Sequence, residues 1–159
     1  MRAVALGMLL GVAASGCSAY QRSYDQETQR LEAEEQTRQA QERAAHAEAS
    51  RYAAVVTFAV GSAVVDGEGA RELGWFAEQM RPFPQAVIEV RGFTDSTGPE
   101  ASNLELSGAR AAGVARSLES LGFARERIVT TGFAEAFPAR SNETREGRRS
   151  NRRVEVTVR

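Results

Sequence analysis

Hydrophobic and polar residues follow three different patterns along this chain of 159 residues. Residues 3–14 are apolar throughout, residues 18–51 are dominated by Gln, Glu, Arg and Ala, and residues 52–159 change repeatedly between strand-like and helix-like spacing. Only the third region has enough periodic apolar positions to build a packed core. We therefore predict a leader, a solvated spacer and one globular domain.

Within the third region, the period of the apolar positions predicts four strands and three helices. The predicted strands lie near 53–58, 86–91, 127–131 and 153–158, and the predicted helices near 67–80, 100–121 and 144–149. This alternation predicts an α/β (α+β) fold with two layers, in which helices cover one face of a four-stranded sheet. The strand–helix–strand units predict parallel connections, whereas the last strand follows a shorter connection and is expected to be antiparallel. The strand order does not follow from the pattern.

Residues 1–16 have the layout of a secretory signal, with Arg2 ahead of an apolar run that is too short to span a bilayer. Small residues precede Cys17, which is the only cysteine, so no disulfide can form within the chain. The string Ala-Ser-Gly-Cys resembles a bacterial lipobox. The resemblance implies a lipoprotein signal peptide, acylation of Cys17 and, with Ser18 next, an outer-membrane address. Plain secretion is the alternative.

Residues 17–51 are predicted to form the lipidated N-terminus and a charged tether that is helical or disordered. The composition favours helix, and Glu34 and Arg38 are spaced to support one another across a turn. Leu31 is the only large aliphatic residue, so the segment lacks the apolar seam of a coiled coil. A weakly oligomerising helix is the alternative. His46, the only histidine, lies on this spacer, where we expect it to be solvated.

The candidate chemistry lies in the predicted domain, 52–159. Asp95 occupies a loop before the longest predicted helix, and Arg110 lies on that helix with Asn103 and Ser107 on the same shoulder. A carboxylate and a guanidinium that face one space suit a ligand carrying both an ammonium and a carboxylate group. In the alternative interpretation, Asp95 caps the loop or the helix and Arg110 pairs with it internally. Leu104 is expected on the core face of the helix.

Longer strings around these residues match a known family signature. The chain from about residue 55 to 159 resembles the OmpA-like peptidoglycan-binding domain, with a layout similar to the peptidoglycan-associated lipoproteins of that family. The strings that carry the resemblance are Gly92-Phe93-Thr94-Asp95-Ser96-Thr97-Gly98, Asn103-Leu104-Glu105-Leu106-Ser107-Gly108-Ala109-Arg110-Ala111, Gly132-Phe133-Ala134-Glu135, and Asn151-Arg152-Arg153-Val154-Glu155-Val156.

The resemblance implies specific site residues. In the family, positions that match Asp95 and Arg110 bind the meso-diaminopimelate of the peptidoglycan stem peptide. Positions that match Thr94, Asn103 and Arg152 support them. No cofactor and no metal are implied.

Two residues depart from the family pattern. Phe93 stands where members commonly have His before the Thr-Asp pair, and Ala59 stands where many carry an Asp after the first strand. The second departure puts one ligand contact in doubt. The resemblance still implies a non-catalytic protein that links the outer membrane, through lipid on Cys17, to the wall. Peptidoglycan-associated lipoproteins also join a trans-envelope complex with periplasmic and inner-membrane proteins, so the resemblance leaves such partners open.

Other classes of function have weaker support. A wall-modifying enzyme needs a nucleophile with a base or a paired acid and base, and residues 52–159 contain no His or Cys. A phosphate site at Gly92–Gly98 lacks the Lys-Ser/Thr of a P-loop, and Asp95 would repel the anion. The formal net charge of −1 gives no case for a nucleic-acid partner, despite the Arg-rich end. A scaffold that binds other envelope proteins stays open.

Overall fold

A computed structural model describes the backbone from Ala3 to Arg159 and the side chains from Ala19 onward. The predicted signal sequence and the acylation of Cys17 fall on residues 1–18 and lie outside the described side chains. The chain divides into two compact units, Met1–Ala44 and Ala45–Arg159.

The described chain contains four α-helices, one short 3₁₀ helix and four strands. Their bounds are α1 Ala3–Ala49, β1 Ala54–Thr57, α2 Gly67–Met80, β2 Ile88–Gly92, α3 Glu100–Ser120, the 3₁₀ helix Arg125–Arg127, β3 Ile128–Gly132, α4 Arg145–Asn151 and β4 Arg153–Val158. All four predicted strands and all three predicted helices of the domain are confirmed, with bounds that shift by two residues or fewer.

The tether is helical from the first described side chain onward, and its side chains are exposed almost throughout. Arg38 Nη2 lies 2.6 Å from Glu35 Oε1, and Arg38 Nη1 lies 3.8 Å from Glu42 Oε1. The predicted pair between Glu34 and Arg38 does not form. Glu34 Oε1 instead lies 3.5 Å from Arg30 Nε. None of the helices in the described part of the chain combines the length and hydrophobicity that a bilayer crossing requires.

The sheet is mixed, and its strand order is β1-β4-β2-β3. Strands β2 and β3 are parallel neighbours, joined through α3, as the pattern predicted. The last strand, β4, is antiparallel to both of its neighbours, which confirms the expectation from its shorter connection. Because β4 inserts between β1 and β2, residues from the end of the chain lie in the middle of the sheet.

The core lies between one face of the sheet and helices α2 and α3. Alternate strand residues enter it, including Val56, Val90 and Val156, each 0% exposed. Leu73 and Phe76 of α2 are also fully buried. The last turn of α1 contributes Ala49. The other core residues are Ala54, Phe58, Met80, Ile88, Ala111, Val114, Ala115, Leu118, Phe123, Ile128 and Val154.

Local sequence explains where the helices begin and end. The Asp66 side chain accepts hydrogen bonds from the first turn of α2, and the Thr144 side chain accepts one from Gly147 at the start of α4. After α3, Gly122 adopts φ +98°, a conformation that glycine tolerates without steric cost. These signals are short-range, which is why the sequence alone located the elements.

Candidate ligand-binding site

Two glycines bring α3 against the ends of the parallel strands. A Cβ on Gly92 would overlap the Ser107 carbonyl group, and a Cβ on Gly132 would lie 2.6 Å from Ser107 Oγ. Because neither glycine has a side chain, the first half of α3 can lie directly on β2 and β3. This close approach places Asn103 and Arg110 next to the residues that follow β2.

The backbone beyond β2 continues in a fixed path. Phe93 N donates to the Arg153 carbonyl oxygen at 2.8 Å, and Thr94 N donates to the Ala134 carbonyl oxygen at 2.8 Å. These bonds connect the segment to the first residue of β4 on one side and to the chain that follows β3 on the other. Thr94 and Asp95 are consequently 3% and 5% exposed, although they belong to a loop.

The Asp95 carboxylate has two protein donors. Arg152 Nη1 donates to Oδ2 at 2.8 Å, and the backbone N–H of Thr97 donates to Oδ1 at 3.0 Å. Burial by itself would raise the pKa of Asp95, but the hydrogen bonds from Arg152 and Thr97 outweigh it and hold this pKa below its ordinary value. Asp95 is therefore a carboxylate at neutral pH. Arg152 is oriented in turn by its Nε, which donates to the Phe58 carbonyl oxygen at 3.1 Å.

Arg110 is the largest fully buried side chain of the domain. Its guanidinium donates to three backbone carbonyl oxygens from separate segments: those of Ser62 at 2.8 Å, Phe93 at 3.0 Å and Ala59 at 3.1 Å. The guanidinium carbon also lies 5.2 Å from the centroid of the Phe58 ring. Among the described residues it forms no ion pair, so its charge is balanced by carbonyl dipoles and not by a contacting carboxylate.

Burial and, to a smaller extent, the nearby charge of Arg152 lower the pKa of Arg110 to about 10, while Asp95 acts in the opposite direction. Arg110 therefore stays protonated at neutral pH. Because the charges of both Asp95 and Arg152 act on it, the three side chains form one electrostatic cluster.

Asn103 and Thr94 complete the predicted set. Asn103 is 4% exposed, and its Nδ2 donates to the Asp95 carbonyl oxygen at 3.3 Å and to Glu135 Oε2 at 3.1 Å. Thr94 Oγ1 is buried and has no hydrogen-bond partner within the described chain. All five predicted site residues, Thr94, Asp95, Asn103, Arg110 and Arg152, thus lie around the C-terminal end of β2.

The structure corrects three details of the sequence interpretation. The internal partner of Asp95 is Arg152, so the alternative in which Arg110 forms that pair is wrong. Asp95 does not cap α3, because the N-cap residue of that helix is Pro99, which makes no side-chain hydrogen bond. Asp95 does cap the loop, since its carboxylate accepts a hydrogen bond from the backbone N–H of Thr97. Leu104, expected in the core, is 54% exposed.

Sequence reasoning assigned no role to Glu135 or to the segment around Ser62. Glu135 belongs to one of the strings quoted for the family resemblance, and this was the available signal. The contact between Arg110 and the Ser62 carbonyl oxygen joins residues 48 positions apart and involves a backbone acceptor. Side-chain identity carries no information on such an acceptor, so no sequence signal could have found it.

The fold is a two-layer α/β domain, and the charge cluster lies at the C-terminal end of its parallel strand pair. The particular family follows from comparison: residues 57–152 match the OmpA family, and the chain belongs to it.

Known proteins similar to this chain carry the same domain. The chain is 42% identical over 103 residues to "Probable lipoprotein YiaD" of Escherichia coli (strain K12), a match that covers 65% of this chain and 47% of that protein. It is 43% identical over 82 residues to "Peptidoglycan-binding protein ArfA" of Mycobacterium tuberculosis (strain ATCC 25618 / H37Rv), covering 52% of this chain and 25% of ArfA. The matches therefore span less than half the length of these curated relatives.

Among solved structures, the chain is similar to the peptidoglycan-associated lipoprotein from Burkholderia pseudomallei. The two have a TM-score of 0.63 at 25% sequence identity, and the match covers 67% of this chain and 90% of that one. The two-layer OmpA-like fold predicted from the sequence is confirmed.

Proposed function

We propose that this protein binds peptidoglycan without modifying it, by holding the diaminopimelate of the stem peptide at the cluster around Asp95 and Arg110. One observation carries the proposal: the end of β2 gathers a fully buried guanidinium, a partly buried one and two carboxylates, with Arg110 free of any carboxylate contact in the described chain. Family membership supports it, as does similarity to a peptidoglycan-binding protein and to a peptidoglycan-associated lipoprotein.

The charges of the cluster suit a zwitterion. Arg110 and Arg152 supply two positive charges, while Asp95 and Glu135 supply two negative ones, and only one Arg–carboxylate ion pair forms among them. A ligand carboxylate near Arg110 would receive a charge-assisted hydrogen bond, and a ligand ammonium would find the Asp95 carboxylate already fixed by the protein. Diaminopimelate within a stem peptide can offer a free amino group and a free carboxylate on the same carbon, which is the arrangement such a cluster recognises.

The proposed interaction is modest at a single site. A hydrogen bond to a charged group contributes about 1.5–3 kcal/mol net, and association itself costs several kcal/mol. The wall presents many copies of the ligand to a tethered domain, so effective concentration would sustain attachment. Weak single-site binding is therefore compatible with a linking role.

The lipobox-like string at Cys17 and the similarity to two lipoproteins support a proposed location. We propose that acyl chains on Cys17 hold the protein in the outer membrane, with the tether and domain in the periplasm. Labelling cells with radioactive palmitate tests this part: wild type should incorporate label and Cys17→Ser should not. A wild-type protein without label would be a secreted one.

The experiment that tests wall binding is co-sedimentation of the full-length chain, purified in detergent, with purified sacculi. Wild type should pellet, and Asp95→Asn should bind at least about tenfold more weakly, since it removes one charged contact worth more than about 1.4 kcal/mol. The matched control is Asp25→Asn, the same chemical change on the exposed tether, which should pellet as wild type does.

Competition identifies the ligand in the same assay. A stem peptide that contains meso-diaminopimelate should release the protein, whereas the same peptide with lysine at that position, which lacks the carboxylate beside its side-chain amino group, should release it much less. Equal pelleting of folded Asp95→Asn and wild type would refute the site. Release of soluble wall fragments by the wild type would instead indicate a wall-modifying enzyme.

A further inference from the structure

The backbone at Ala134, just after β3, has an unusual conformation. Its φ is +47°, in the left-handed region that residues with a Cβ adopt rarely. Two hydrogen bonds hold it there: Ala134 N donates to Ser107 Oγ at 3.1 Å, and the Ala134 carbonyl oxygen accepts from Thr94 N at 2.8 Å. Backbone that neighbouring structure holds in a sparsely populated region occurs preferentially at functional sites.

The residue that this conformation positions is Glu135. Its Oε2 accepts a hydrogen bond from Asn103 Nδ2 at 3.1 Å, and the same nitrogen donates to the Asp95 carbonyl oxygen at 3.3 Å. A carbonyl oxygen and a carboxylate can only accept, so the atom of Asn103 between them must be the nitrogen. Both hydrogens of the amide are therefore used within the protein.

This arrangement fixes the remaining atom of the amide. Because the amide group is planar, holding Nδ2 between two acceptors also fixes the direction of Asn103 Oδ1. Within the described chain Oδ1 accepts no hydrogen bond, so it is an acceptor beside the Asp95 cluster that a ligand N–H can use. Glu135 has no cationic partner among the described residues, so its charge strengthens the bond to the amide.

We propose that Glu135 is a positioning residue of the ligand site: it locks the Asn103 amide so that Oδ1 faces the ligand as a hydrogen-bond acceptor. This inference rests on the proposed function for its ligand. It also makes Asn103 a direct ligand contact whose orientation depends on a residue 32 positions away. The competing role for Glu135 is direct contact with a ligand ammonium, and the two roles respond differently to substitution.

The test compares two substitutions of Glu135 in the full-length chain, by co-sedimentation with sacculi. Glu135→Ala should weaken binding about fivefold, the effect of losing one oriented hydrogen bond. Glu135→Gln keeps an oxygen that can accept from Asn103 Nδ2 and should stay within about twofold of wild type. Glu105→Ala, on the exposed face of α3, is the control and should bind as wild type does.

A double substitution establishes that Glu135 acts through Asn103. Asn103→Ala together with Glu135→Ala should bind no more weakly than Asn103→Ala alone, because the second change then removes nothing further. An additive loss would overturn the proposal. So would a loss in Glu135→Gln as large as in Glu135→Ala, since that result would assign Glu135 a direct charge contact, or unchanged binding by Glu135→Ala.

A measurement without ligand separates this inference from the proposed function. In ¹⁵N NMR spectra, the side-chain NH₂ of Asn103 should be protected from exchange with water in wild type and Glu135→Gln, and should lose protection in Glu135→Ala. If wild type fails to pellet with sacculi, the proposed function fails, and this spectrum still decides whether Glu135 holds the amide. Equal protection in all three proteins would refute the positioning.

Discussion

Arg38 of the tether and Arg110 of the domain are the same residue type on two helices, and the structure uses them in opposite ways. The Arg38 side chain is 62% exposed and lies within ion-pair distance of Glu35 and Glu42 on its own helix. Arg110 is 0% exposed, contacts no carboxylate of the described chain and donates to three carbonyl oxygens of other segments.

The comparison shows that burial, and not the number of ion pairs, decides how much a guanidinium contributes to the stability of the fold. Exposed pairs on a helix contribute little, because water solvates both charges and holding two long side chains costs entropy. A buried guanidinium without its carbonyl acceptors would be costly, and the acceptors without it would be unpaired. Arg110 therefore holds three segments together through hydrogen bonds: the loop at Ser62, the end of β2 and the segment after β1.

The largest expected effect comes from removing this arginine. Arg110→Ala should lower the free energy of unfolding by about 3–5 kcal/mol, because three carbonyl oxygens lose their donor and a cavity forms. Urea unfolding followed by circular dichroism measures it. Arg38→Ala is the matched control and should leave the domain's unfolding midpoint unchanged. Similar small effects in both variants would contradict the comparison.

The second prediction concerns the close approach that buries Arg110. Gly92→Ala should cost about 2–4 kcal/mol, because its Cβ would overlap the Ser107 carbonyl group and force α3 away from β2. Gly108→Ala on the same helix meets nothing within 4 Å and should stabilise the domain by about 0.5–1 kcal/mol through helix propensity. Thermal unfolding of both variants checks the difference in sign. A stable Gly92→Ala variant would show that α3 can move without loss.

The smallest expected effect depends on pH. The pKa of Asp95 is lower in the folded protein than its ordinary value of 3.8, so its ionised form stabilises the fold above that pH. This contribution is lost as pH falls below 3.8 through the folded-state pKa. Urea midpoints from pH 7 to pH 3 should show wild type above Asp95→Asn at neutral pH and converging with it in acid. If the difference between the two midpoints did not change with pH, the loss of stability in acid would come from groups other than Asp95.

Local signals in the sequence accounted for the elements, and a family signature accounted for the site residues. Asp66 and Thr144 cap helices, Gly122 ends one, and alternating residues such as Val90 and Val156 mark the core face of strands. Each of these signals acts over a few residues, so one sequence is enough to detect it. The position of Arg152 near Asp95 was implied by resemblance and did not follow from spacing.

The sequence by itself therefore determined where this chain forms helices and strands, which residues it keeps apolar, and which charged residues are candidates for binding. Only the tertiary structure decided which charges meet. It inserted β4 between β1 and β2, which brought Arg152 to Asp95, 57 positions away. It also assigned Arg110 to backbone acceptors. The physical reason is that strand order and the approach of a helix to the sheet depend on packing across the whole domain. In addition, every residue has a backbone carbonyl oxygen, so the residue type does not indicate which carbonyl group accepts a hydrogen bond.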